Sequence, residues 1–181
     1  MMLIHPRKIV TTLLLAVSMS LLASCVTQPT PTISTLDRKL LARFASGASV
    51  LDCEGACSST YVHSQADIWS RYDAQDWQGL ALLILHIRWR RDITYFFLGA
   101  AAQGLGHLEA ADRYYRFAGA LASSTRPMNR CASIYELCGP LSLPQDIYPR
   151  LAAVDQLLAS RNKHIGSAPS LPLWIDPPSQ P

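Results

Sequence analysis

The chain is poor in charge. Asp, Glu, Lys and Arg make up 16% of its 181 residues, whereas apolar residues make up 49%. A disordered chain needs the opposite balance, so that class is excluded. Sixteen Lys and Arg against 13 Asp and Glu give a net charge of +3, too little to argue for nucleic-acid binding. No apolar run reaches the ~20 residues of a membrane-spanning helix. No stretch shows the sustained alternation of a half-buried strand. Glutamate occurs only as Glu54, Glu109 and Glu136. A wall-cleaving hydrolase would need one of them in a cleft, and Glu54, held between Cys53 and Gly55 in a tight loop, is a poor candidate. Nucleophile-elbow, zinc-protease, phosphate-loop and dinucleotide patterns are absent. His63, His86, His107 and His164 stand at no metal-ligand spacing. The expectation is a chain that is not an enzyme, with no catalytic residue, metal, cofactor or small-molecule substrate.

What is present begins with an address. Arg7 and Lys8 precede a short apolar stretch from Leu13 to Ala23, the layout of an export signal. The stretch ends in Leu22-Ala23-Ser24-Cys25, which resembles the bacterial lipobox. That resemblance implies cleavage before Cys25, lipidation of its sulfur and an acyl-anchored N-terminus. Two or more acyl chains anchor a protein stably. Val26 stands where an Asp would favour inner-membrane retention, so the resemblance points to the outer membrane, facing the periplasm. Removing residues 1–24 leaves 157 residues and takes away Arg7 and Lys8, which lowers the side-chain balance from +3 to +1. Residues 25–34 then form a lipidated Pro/Thr-rich tether, extended rather than helical. A helical domain over 35–166 and a Pro-rich tail over 167–181 complete the organisation.

Four cysteines remain: Cys53, Cys57, Cys131 and Cys138. In an exported chain an even number reads as two disulfides, with three pairings open. Pairing between the two clusters would close the longer loops and stabilise more by chain entropy. The spacings match common structural zinc patterns poorly.

The rest of the chain has helical period, so the expected fold class is all-α with about five to six helices, stapled by disulfides. Ser34 to Ala45 places Leu36, Leu40, Leu41 and Phe44 together behind a Ser34 cap, and Gly47 ends it. Val50 to Ser59 reads as loop. Tyr61, Gln65, Ile68 and Tyr72 follow helical spacing. Asp76 caps a helix so apolar over Leu80 to Leu85 that it must be covered on most sides. Asp92 opens the next helix, which ends near Gly104. Another runs from Leu108 to about Leu121. After an irregular stretch from Ser123 to Pro144, a last helix starts near Asp146 and carries Pro149 in its first turn.

These helices pair. Residues 61–74 with 77–90, and 92–105 with 108–122, are offset by 31 residues. The second pair carries Tyr95, Leu98 and Gly99, then Gly106, then Ala111, Tyr115 and Ala118. This pattern resembles a tetratricopeptide repeat. Gly99 and Ala111 would let the helices approach closely, Gly106 would make the turn, and Tyr115 and Ala118 would form the next contact layer. Ala102 stands where an aromatic is usual, and no Pro closes the unit. The first pair lacks the Leu-Gly signature. The resemblance implies stacked helix hairpins with a groove between the first helices of each pair.

Two features could meet a partner. Arg88, Trp89, Arg90 and Arg91 form a basic-aromatic cluster, read either as a site for an acidic segment or lipid headgroups or as a solvated face. Trp174, with Leu171, Leu173 and Ile175, stands in the tail and needs an apolar surface, on this chain or on another. Together these readings give an outer-membrane lipid-anchored adaptor that binds another envelope protein. Assembly factors, pilotins and accessory subunits of secretion or pilus systems are of this kind. The alternative is a structural lipoprotein of the envelope or cell wall without a peptide-binding role.

Overall fold

The computed structural model describes residues 33–131 and 137–166. The expected export signal, Cys25, most of the expected tether, Glu136 and the tail with Trp174 lie outside the described residues. Among the described residues there are six α-helices: α1 Thr35–Ala45, α2 Ser58–Asp73, α3 Trp77–Ile87, α4 Asp92–Gly104, α5 Leu108–Ala122 and α6 Ile147–Gly166. Short 3-10 turns occupy Gly55–Cys57 and Pro127–Asn129. Among the described residues there is no strand beyond one isolated parallel bridge, between Cys53 and Trp89. The protein is all-α, and its disulfides pair locally, Cys53 with Cys57 and Cys131 with Cys138.

Local chemistry sets the helix ends. Ser34 Oγ accepts from the Asp37 N–H at 3.0 Å and donates to its carboxylate at 2.8 Å, which starts α1. Asp76 caps α3 by accepting from the Gly79 N–H at 3.0 Å, while its other oxygen holds Arg71 at 2.8 Å. Before α4, Thr94 Oγ accepts from the Arg91 N–H at 3.1 Å and donates to the Trp89 carbonyl at 2.7 Å. Gly106, at φ +78°, makes the left-handed turn from α4 to α5.

Helix α4 lies at the centre. Every residue from Asp92 to Ala102 is buried. On one side Phe97 meets Trp69 of α2 edge-on, with ring centroids 5.1 Å apart. On another, Phe96 meets Tyr115 of α5 at 5.8 Å. Gly99 is what permits this approach: a Cβ there would sit 2.6 Å from the Tyr115 ring. Ala111 and Ala118, fully buried on α5, are small for the same reason. Helix α6 lies along α5, with Val154 and Ile147 buried and Arg161 paired with Glu109 at 3.0 Å. Tyr61 of α2 donates to the Leu137 carbonyl at 3.3 Å, and Trp69 packs against Gly139, so the residues on either side of Cys138 lie against α2.

Candidate functional site

The segment between α1 and α2 lines one wall of an indented surface. Its side chains alternate: Ser49 and Leu51 point inward, and Val50 and Asp52 point outward. Ser49 N–H donates to Tyr114 Oη at 3.3 Å and Leu51 N–H to Tyr95 Oη at 3.0 Å. Tyr114 Oη donates in turn to the Phe44 carbonyl at 3.0 Å. The segment then pairs with the connection between α3 and α4. Cys53 N–H donates to the Arg88 carbonyl at 3.0 Å, and Arg90 N–H to the Cys53 carbonyl at 2.7 Å. Buried Tyr95, expected to serve helix packing, therefore also anchors this wall.

That pairing gives residues 88–91 a two-residue period as well. Arg88 is exposed and Arg90 half-buried, whereas Trp89 and Arg91 are buried. The basic-aromatic cluster is thus split between surface and interior, and neither a single binding face nor a solvated one describes it. The Arg91 guanidinium lies 4.5 Å from the Trp89 ring centroid and donates to the Arg130 carbonyl at 3.0 Å. Arg88 forms a bidentate pair with Asp52, at 2.6 and 3.0 Å. These hydrogen bonds hold the Asp52 carboxyl below the usual carboxylate range. Arg90 faces Glu54 at 3.5 Å.

Three indentations meet along this wall. The first, about 520 Å³, lies between α1 and the end of α3 and is lined by Leu36, Leu40, Leu85, Val50, Arg43 and Arg88 among others. Val50 also lines the second, about 480 Å³, with Tyr95, Phe117, Leu121 and Arg90. Arg90 also lines the third, about 380 Å³, with Trp89, Arg126 and Met128. Apolar side chains stand out to solvent along the same line. Val50 is 67% exposed, Leu36 60%, Met128 59% and Phe117 50%. The charged lining of the three is four arginines, Arg43, Arg88, Arg90 and Arg126, against Asp52 and Glu54, apart from His86.

Of the two first helices, α4 is buried from Asp92 to Ala102, against α3, α5 and the Trp69 ring of α2. A further indentation, about 570 Å³, lies on α2 and is lined by Gln65, Trp69, Asp73, Gly139 and Pro140. The three that share Val50 or Arg90 follow α1 and the two extended segments. Sequence periodicity could not place them, because the residues that pin the wall, Tyr95 and Tyr114, are 44 and 65 positions away from the groups they hold. The one usable signal was the inward-outward alternation from Ser49 to Asp52, too short to stand out.

The other singled-out residues have ordinary surroundings. Leu98 is buried in the α4 core. His86 bonds Asp37 at 2.8 Å, His63 bonds the Ser59 carbonyl at 2.7 Å, and His107 meets Phe44 edge-on at 6.2 Å. Among the described residues no three of His, Cys, Asp and Glu cluster as metal ligands.

No family model, curated protein or solved structure matches the chain.

Proposed function

We propose that this chain is an outer-membrane, lipid-anchored, periplasmic protein-binding adaptor, an assembly factor, pilotin or accessory subunit of an envelope secretion or pilus system. The observation that supports it best is the exposed Leu36, Val50, Phe117 and Met128, set in neighbouring indentations with an excess of arginine. Exposed apolar side chains in a continuous indented patch favour a macromolecular partner. Interspersed arginines favour one with acidic residues beside its apolar anchors. The export signal and the lipobox resemblance place the reading in the envelope. The repeat resemblance adds that related helical stackings bind peptide segments, although the docking surface here would run along α1 and the Val50 wall.

The deciding experiment places a photo-crosslinking amino acid at Val50 in the native cells and identifies what is captured. One defined component of a secretion or pilus machine, lost when Leu36→Arg or Phe117→Arg is added, is the expected result. Capture of nothing beyond peptidoglycan-linked and abundant envelope proteins would move the reading to a structural lipoprotein.

A further inference from the structure

We propose that residues 171–176 of the same chain, Leu-Pro-Leu-Trp-Ile-Asp, occupy the cleft between α1 and α3 in the partner-free protein and are displaced when a partner binds. The displacement half of this rests on the adaptor reading above; the contact itself does not.

Three observations carry it. The first is where the tail starts. Near the end of α6, Arg161 pairs with Glu109 in the first turn of α5 at 3.0 Å. At that same end of α5, His107 meets Phe44, the next residue along α1 from Arg43. The last turns of α6 and of α1 therefore flank one end of α5.

The second is reach. Trp174 lies eight positions after Gly166. Extended, that stretch spans about 26–29 Å. Helix α1 has 11 residues and so is only about 16 Å long. That stretch is longer than the α1 side of the cleft.

The third is chemistry. Residues 167–181 contain no Lys, Arg or His, one acid, Asp176, and five prolines. Prolines favour an extended backbone that loses little entropy on docking. Leu171, Leu173, Trp174 and Ile175 need an apolar surface, and Leu36, Leu40, Leu85 and Val50 provide one beside Arg43. At about 520 Å³ the cleft has room for an indole and a neighbouring aliphatic side chain.

The test replaces Trp174 with p-benzoylphenylalanine in the full lipidated chain, purified in mild detergent and irradiated at low concentration. The expected product is a monomer crosslinked within itself, between position 174 and peptides from residues 36–52 or 85–88. Val50→Arg and Leu36→Arg, both at exposed positions, should each cut its yield at least fivefold. Crosslinks to the Trp69–Pro140 side, crosslinks only between copies, or no internal crosslink would each overturn the contact. In cells, Trp174→Ala should raise partner capture from position 50 several-fold; unchanged capture would overturn displacement. An internal crosslink with no partner captured at position 50 would sink the adaptor reading alone. Partner capture with no internal crosslink would sink this inference alone.

Discussion

Asp92 carries the most consequential single ionisation. It is the first residue of α4 and is 1% exposed. Its Oδ1 accepts from the Ile93 N–H at 2.7 Å and the Cys131 N–H at 2.8 Å, tying the helix to the second disulfide. Burial pushes its carboxyl up from an ordinary 3.8 to about 6, against the pull of those two donors and of Arg91. Because the folded value lies above the unfolded one, the folded state binds the extra proton between pH ~4 and ~6. The stability linked to Asp92 is therefore complete below pH ~4 and lost as pH rises through about 6. The protein should be more stable at pH 5 than at pH 7.5, by on the order of 1–3 kcal/mol. Asp37 and Asp52, held low by hydrogen bonds, act in the opposite sense, but below the ordinary carboxylate value. Their contribution therefore falls below the window in which Asp92 acts. Urea midpoints across that range check it. Asp92→Asn keeps an oxygen for both N–H groups and should flatten the dependence; a wild-type midpoint that falls from pH 7 to 5 would contradict the argument.

At the scale of elements, the disulfides act as local staples. Cys53 and Cys57 are 4 positions apart and Cys131 and Cys138 are 7 apart. Loops that short constrain the unfolded chain modestly, by about 2 kcal/mol each in the chain-entropy model, against well over 4 for cross-pairing. Paired Cys→Ser changes at either bridge should thus lower stability by about 2 kcal/mol in urea unfolding and leave the helical circular-dichroism signal intact. Complete loss of folding from either pair would show that the bridge does more than close its own loop. The Cys53–Cys57 change should in addition loosen the Val50 wall, since Cys53 bonds both Arg88 and Arg90 backbones. What was legible in the sequence divides along the same line of local against distant. Helix α1 behind Ser34, α3 behind Asp76 and the Gly106 turn were readable because caps and turns act within four residues. The close approach at Gly99 was readable because a missing side chain has few other uses in a helix. The wall from Ser49 to Cys53 was not, and with it the sorting of Arg88 to Arg91 between surface and core. Both depend on hydroxyls and carbonyls supplied from other helices.

At the scale of the whole molecule, the enclosure of α4 redistributes what the surface can do. A helix buried against α3, α5 and the Trp69 ring of α2 forms the centre of the domain. In the proposed adaptor, binding would then fall to the margin, where α1, the extended segments and the 3-10 turn at Pro127 leave apolar side chains exposed. Such a margin is small, and a partner held by a few anchors binds weakly from solution. The proposed lipid tether would change that arithmetic. Confining domain and partner to one membrane surface makes the encounter effectively intramolecular and raises occupancy by ~10²–10⁴ without any new contact. The domain starts at Ser34, with its own cap, so its folding does not call on Cys25. A chain with an ordinary cleavable export signal and Cys25→Ser should therefore keep the wild-type urea midpoint while losing membrane attachment and incorporation of labelled palmitate. Its partner capture from position 50 in cells should fall at least tenfold, whereas binding of the two purified proteins in solution should not change. Full capture by the unanchored chain would mean that the contact is strong by itself and that the anchor serves only to place the protein in the envelope.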